Sequence, residues 1–250
     1  MIVVDIGNTN IVIGIYSTKR LKNIIRLSTK EKKLLRKLDQ YFKLEKIVNL
    51  KLDYKNCIIS SVASTSTKDI VYFFTKLKFK ILKINVKNIP QKIKFKYKLN
   101  QLGADRIANT FAAINKFKSN VLVIDFGTAT TFDVVIENKY EGGLIAPGID
   151  TSHDSLVKSA SKLRRIKIIK TKKLIGKNTK SSMQSGFYWG YASMINGIIN
   201  KIIMEKNIRP KIVLTGGLAK IFKDEIKHET YYEPDLTLEG LYLIGILKYA

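Results

Sequence analysis

Cysteine and histidine are nearly missing from this chain: Cys57 is the only cysteine, and His153 and His228 are the only imidazoles. One thiol cannot close an internal disulfide and has no second cysteine with which to hold zinc. Two histidines alone argue against a histidine-built metal site, and a reducing cytoplasm is the simplest home for such a composition. No run is both long and apolar enough to span a bilayer, so no membrane partner is expected. The N-terminal run carries Asp5 inside its first apolar stretch, which is not the pattern of a secretory signal. A Walker A loop is also missing, because Gly176-Lys177 lacks the upstream glycine and the following Ser or Thr. Neither a dinucleotide fingerprint nor a Gly-x-Ser-x-Gly elbow occurs.

Acidic residues are scarce too, 20 against 45 basic ones, for a net charge of +25. Seven of the basic residues are arginine and 38 are lysine. The lysines are spread over the whole chain, and no zinc-finger pattern or aromatic stacking strip accompanies them. With Asn and Ile also abundant, the charge reads as genomic base bias, and a nucleic-acid partner is not expected despite it. Such a surface still attracts small anionic substrates.

What the chain does have is a repeated acidic turn. Ile2-Val3-Val4 runs into Asp5-Ile6-Gly7-Asn8-Thr9, and Val121-Leu122-Val123-Ile124 runs into Asp125-Phe126-Gly127-Thr128-Ala129-Thr130-Thr131. A second apolar run follows each turn, Ile11 to Ile15 and Phe132 to Ile136. Both copies therefore read as strand, Asp-x-Gly-hydroxyl turn, strand. Glycine lets a backbone with free N–H groups approach a bulky anion. Thr9, Thr128, Thr130 and Thr131 add hydroxyl donors, and Asp5 and Asp125 offer oxygen ligands for a hard cation. A single Asp-Gly turn is an ordinary hairpin, but two copies 120 positions apart in a chain of 250 residues favour a nucleotide triphosphate with its cation.

Between the repeats the periodicity predicts a strand at 20–28, a helix over 31–50, a strand at 56–62, a helix capped by Ser64 or Ser66 and a strand at 79–86. An exposed connection covers 87–100. Gly103-Ala104-Asp105-Arg106 opens a helix running to Phe117. Asp105 can be read there as an ordinary first-turn carboxylate with Arg106 a surface charge, or as a carboxylate and guanidinium that hold a substrate hydroxyl and an anion together. In the second half, Gly142-Gly143-Leu144-Ile145-Ala146-Pro147-Gly148 marks a loop passing close to a ligand or to neighbouring backbone. A helix is expected over 150–160, a solvated strand and loop over 162–177, and a long helix over 183–206 capped by Thr179 or a following Ser. Gly186, Gly190 and Gly197 would cost that helix about 1 kcal/mol each, which predicts close packing against another helix. A strand enters Thr215-Gly216-Gly217, a turn whose free N–H groups suit a nucleotide, and residues 236–249 close the chain as a helix.

Taken in order, Asp5-x-Gly-Asn-Thr-Asn10, Gly103-Ala-Asp-Arg106, Asp125-x-Gly-Thr-Ala-Thr-Thr131, Gly142-Gly-x-Ile-Ala-Pro-Gly148 and Thr215-Gly-Gly217 resemble the type III pantothenate kinase family, from residue 1 to about 245. The resemblance implies an α/β fold of the acetate kinase, sugar kinase, Hsp70 and actin superfamily. That fold has two ribonuclease-H-like domains, here 1–118 and 119–250, each a mixed β-sheet with flanking helices, around a central nucleotide cleft. The activity implied is ATP-dependent phosphorylation of pantothenate, the first step of coenzyme A synthesis, by a cytoplasmic homodimer with Mg²⁺ and a monovalent cation, K⁺ or ammonium. Residues Asp5, Ile6, Gly7, Asn8, Thr9, Asn10, Ile11 and Val12 match the family's first phosphate motif. Asp5 would also face Mg²⁺, through water. Asp105 matches the proton acceptor, and Gly103, Ala104 and Arg106 its substrate-contacting neighbours. Asp125 matches the monovalent-cation ligand, Thr128 an ATP contact, and Thr179 a substrate contact near the dimer boundary, with the helix around Gly186 as the candidate interface.

One departure stands out. The family's substrate-contacting Tyr lies seven residues before the Gly of Gly-Ala-Asp-Arg, where this chain has Lys96; Tyr97 is one residue closer, and the usual Asn-Pro is absent. A one-residue deletion restores Tyr97 to that role. The alternatives are a non-catalytic relative acting as a transcriptional accessory factor, a kinase of the same superfamily for another small acid or sugar, and an actin-like structural protein. Intact Asp5, Asp105 and Asp125 speak against the first, and Gly-Ala-Asp-Arg against the second.

Overall fold

The computed structural model describes residues 1–250 apart from 45–54, 86–87, 89–92 and 250. Its chain divides into two compact units, Met1–Asn115 together with Leu236–Ala250, and Lys116–Asp235.

In the first unit the apolar run at the N-terminus becomes β1 (Ile2–Ile6), buried along nearly its whole length. That burial on both faces explains a continuous apolar run in place of an alternating one. β2 (Asn10–Ser17) returns antiparallel, with Asp5 opposite Val12, and β3 (Arg20–Ser28) pairs antiparallel with β2. β4 (Asn56–Ser61) lies parallel to β1 on its other side, and β5 (Lys80–Lys83) parallel to β4, giving the order β3-β2-β1-β4-β5. Helices α1 (Leu34–Leu44) and α2 (Ser64–Lys76) pack Leu34, Leu38, Phe42, Phe73 and Phe74 onto Ile2, Val4 and Ile59. The 45–50 end of the expected first helix lies outside the described residues, as does most of the 87–92 stretch. Further on come a short strand β6 (Lys94–Phe95) and α3 (Ala104–Phe117).

The expected serine cap of α2 is not formed. Ala63 is the N-cap residue, without a side-chain cap bond. Ser64 is already helical, and Ser66 instead donates to the Thr29 carbonyl at 3.1 Å.

The second unit repeats the plan. β7 (Val121–Phe126) pairs antiparallel with β8 (Ala129–Ile136), which pairs antiparallel with β9 (Lys139–Pro147). β10 (Lys211–Gly216) is parallel to β7, and β11 (Thr230–Tyr232) parallel to β10. α4 (Ile149–Ser159), α5 (Thr179–Lys206) and α6 (Ala219–Phe222) complete it. Ile195 and Tyr188 of α5 join Leu122, Ile124, Phe132 and Phe222 in its core. Residues 160–178, between α4 and α5, form neither helix nor strand. α5 starts earlier than its apolar pattern suggests, and its cap is Asn178. The Asn178 side chain accepts from the Ser181 amide, and the Ser181 hydroxyl accepts from the Asn178 amide.

The closing helix α7 (Leu236–Tyr249) belongs to the first unit, so that unit is discontinuous in sequence and the second ends at Asp235. Side-chain fit is the reason. Tyr242 stacks on Tyr16 with ring centroids 3.9 Å apart. Thr237 donates to Asn109 Oδ1 at 2.7 Å, and Leu238 and Leu241 are buried. Gly240 lies so close to α3 that a Cβ there would overlap the Ala108 carbonyl. Gly240→Ala is accordingly expected to cost about 1–3 kcal/mol, read from the urea midpoint; an unchanged midpoint would mean that α3 and α7 are not held at this spacing.

Candidate active site

Both acidic turns sit at the same place in their sheets. Asp5 is the penultimate residue of β1, paired across to Val12 and, on the parallel side, to Ser60. Asp125 is the penultimate residue of β7, paired across to Thr131 and to Thr215. Each carboxylate is half-buried at the end of a central strand, opposite a hydroxyl residue of its parallel neighbour, Ser60 in β4 and Thr215 in β10.

The first turn is tied from behind. The Gly7 amide donates to the Asn10 carbonyl at 2.9 Å, closing a tight loop. Thr29 donates its hydroxyl to the Gly7 carbonyl at 2.8 Å and its amide to the Thr9 carbonyl at 2.9 Å. Asn8, Thr9 and Asn10 are exposed at the tip, while Ile6 and Ile11 are buried beneath it. The loop is thus fixed by backbone and by Thr29, with its tip exposed.

In the same unit, Gly103 precedes α3. Its missing side chain matters, because a Cβ there would overlap Asp105 Oδ1. That oxygen accepts from the Arg106 amide at 2.8 Å, which fixes the carboxylate at the mouth of the helix. Its Oδ2 accepts no hydrogen bond among the described residues. Arg106 is not the surface charge that the plain reading of the motif expects: it is only 5 % exposed. A guanidinium is not taken out of water without polar or anionic company, so its burial marks a built feature. Tyr97 is half-buried in the segment leading to α3.

The second turn is braced by backbone. The Gly127 amide donates to the Ala129 carbonyl at 3.1 Å, and Gly127 and Thr128 are exposed. Gly148 lies against them so closely that a Cβ would overlap the Thr128 carbonyl. The Gly-rich stretch expected as a loop at 142–148 is instead the far part of β9, paired with β8, and at its end Gly148 passes close to neighbouring backbone, one of the two readings its composition allows. Gly216, at φ +90°, has Asp125 Oδ1 only 2.5 Å from where a Cβ would stand. Any other residue there would be both strained and in collision with the carboxylate.

Thr179 is the exposed first residue of α5, at the lip of an apolar groove of about 830 Å³ lined by Met183, Gly186, Phe187, Gly190, Tyr191 and Met194, among others. The helix partner expected for the glycines of α5 is not supplied by the chain itself: nothing described lies within 4 Å of a Cβ at Gly186, Gly190 or Gly197.

Asp5 to Val12, Tyr97 and Gly103 to Arg106 thus fall in the first unit, and Asp125, Thr128 and Thr179 in the second. Among the described residues no group of three or more His, Cys, Asp or Glu could hold a metal ion. Cys57 is buried in β4, which pushes its thiol well above the usual range and leaves it unreactive.

Residues 1–201 match the family model described as type III pantothenate kinase. A type III pantothenate kinase from Pelagibacter ubique is 40% identical over 247 residues, which span 96% of this chain and 96% of that one. Among solved structures, a Baf family transcriptional activator from Campylobacter jejuni shares the fold with a TM-score of 0.62 and 18% identity, over 99% of this chain and 98% of the other. A ROK hexokinase from Thermus thermophilus does so at 0.53 and 12%, over 99% of each. At these identities the two structures speak for the fold alone.

Proposed function

Since the chain belongs to the type III pantothenate kinase family, and is an enzyme that phosphorylates pantothenate in coenzyme A biosynthesis, we propose that Asp105 accepts the proton of the attacking hydroxyl. The observation that carries this reading is the half-satisfied carboxylate. One oxygen is locked by the Arg106 amide beside a glycine that has no Cβ to crowd it, and the other accepts no hydrogen bond among the described residues.

The hydroxyl oxygen of pantothenate forms the new bond to the γ-phosphorus of ATP as the bond to the bridging oxygen breaks. ADP leaves with that electron pair, and the hydroxyl proton passes to Asp105. Such a transfer asks for alignment and charge neutralisation, with little covalent help. Amides and side chains of residues 5–12 cradle phosphate oxygens, Thr128 adds a hydroxyl, and Arg106 meets the pantothenate carboxylate or the transferring charge. Tyr97 and Thr179 complete the acceptor's contacts. Asp5 would hold Mg²⁺ through water and Asp125 would hold K⁺ or ammonium, ions that would supply positive charge against the phosphates.

The active form is a homodimer built on α5. Its open glycine face and the apolar groove beside it would otherwise stay exposed to water. Gly190→Arg is expected to yield monomers in sedimentation at micromolar concentration; an unchanged mass would clear α5 of that role. The cytoplasm is the compartment, in keeping with a buried free Cys57; among the described residues no helix is long and apolar enough to cross a membrane. The deciding experiment is ATP consumption with pantothenate, with and without K⁺. Turnover only with another small acid or a sugar would assign the chain to a sister activity.

A further inference from the structure

The turn that carries Asp125 and Thr128 is steadied from outside by two residues that no motif contains. Thr151, in the first turn of α4, donates its hydroxyl to the Thr128 carbonyl at 2.7 Å. Tyr191, midway along α5, has its hydroxyl 2.6 Å from Ser152 Oγ and within reach of the carbonyls of Pro147 at 3.2 Å and Gly148 at 3.3 Å. With Ser152 donating to Tyr191, the phenol proton is left to be shared by the two carbonyls, of which that of Gly148 also accepts from the Ser152 amide at 2.9 Å. Gly148 in turn presses on the backbone of Gly127 and Thr128. Interiors packed this closely transmit displacement. Moving the 147–148 peptide therefore moves the turn.

We propose that Thr151 and Tyr191 are positioning residues for ATP. Thr151 fixes the peptide plane between Thr128 and Ala129 directly. Tyr191 fixes it through Gly148. Neither touches the nucleotide. The inference rests on the reading of Thr128 as an ATP contact and adds to it the two side chains that hold that contact in place. It also connects the turn to α5, because the Tyr191 ring forms part of the groove wall.

Initial rates against ATP and against pantothenate, with thermal melting, test this on Thr151→Val, Thr151→Ser, Tyr191→Phe and Thr128→Val. Loss of one neutral hydrogen bond is worth about 0.5–1.5 kcal/mol. KM for ATP should therefore rise about 3- to 10-fold in Thr151→Val and Tyr191→Phe, with KM for pantothenate and Tm at the parent values. Thr151→Ser, which restores the hydroxyl, should recover the parent KM. The proposal is overturned if Thr151→Val and Tyr191→Phe both keep the parent KM for ATP. It is equally overturned if both KM values move together with a lowered Tm, since that is a loss of fold. Thr128→Val separates the two layers. If it alone raises KM for ATP, Thr128 binds nucleotide without this support and only the present inference falls. If it is silent as well, the ATP role of Thr128 falls and the inference with it.

Discussion

Asp105→Asn should lower turnover by a factor on the order of 100 to 10,000, the range general acid–base groups supply, while nucleotide binding stays within about twofold of the parent. The substitution is nearly isosteric. An amide oxygen in place of Oδ1 can still accept the Arg106 amide, which lies 2.8 Å from it. The start of α3 therefore keeps its geometry. What disappears is the capacity to take a proton at the second oxygen. The effect belongs in kcat on the proposed reading, which assigns the nucleotide to residues 5–12 and Thr128 and the acceptor hydroxyl to Asp105. Steady-state rates with a separate ADP titration read the two quantities apart. Parent-like turnover in a folded variant would remove Asp105 from the chemistry and leave it as a first-turn helix residue.

Asp125→Ala should weaken ATP binding roughly 10- to 100-fold in K⁺ buffer and abolish the response to K⁺. The sign of the effect is informative. A carboxylate facing a triphosphate is by itself repulsive; it helps only by recruiting a cation between the two. Opposite unit charges about 4 Å apart are worth on the order of 4 kcal/mol at an effective dielectric near 20, and competition from water and bulk ions leaves a fraction of that. The variant and the parent should then converge when K⁺ and ammonium are withdrawn. Titration of ATP affinity against K⁺ for both proteins checks this, and parallel salt curves would count against a cation on Asp125. Gly216 gives the prediction its structural footing. A side chain there would stand 2.5 Å from Asp125 Oδ1, so the chain keeps that side of the carboxylate clear by having none.

The acidic turns were legible because both signals in them are local. A β-branched run closed by Asp and Gly dictates a buried strand and a tight turn wherever it lies, and β1–β2 and β7–β8 follow that rule. The helix at Gly103–Arg106 was legible for the same reason. The burial of Arg106 was not, since it depends on packing around α3 that sequence spacing does not encode. β11 went unseen because Thr230–Tyr232 is three residues long and is a strand only by lying beside β10. Thr151 carried no signal at all: it is an ordinary helix residue until the Thr128 carbonyl is placed 2.7 Å away. The glycines of α5 were expected to face a packed helix, but among the described residues nothing lies within 4 Å of a Cβ at Gly186, Gly190 or Gly197. The destination of α7 was hidden too, because an apolar closing helix fits either sheet by composition. Gly240 against Ala108 and Tyr242 on Tyr16 decide it.

That last arrangement has a consequence for biosynthesis. The unit bearing Asp5 and Asp105 is completed by Leu236–Ala250, which follow the whole of the second unit in the chain. The second unit, one uninterrupted segment, can mature while the first still waits for its closing helix. Removal of Leu236–Ala250, or a nick just before them, would therefore strike the half that carries Asp105, although the lesion lies far along the chain from Asp5.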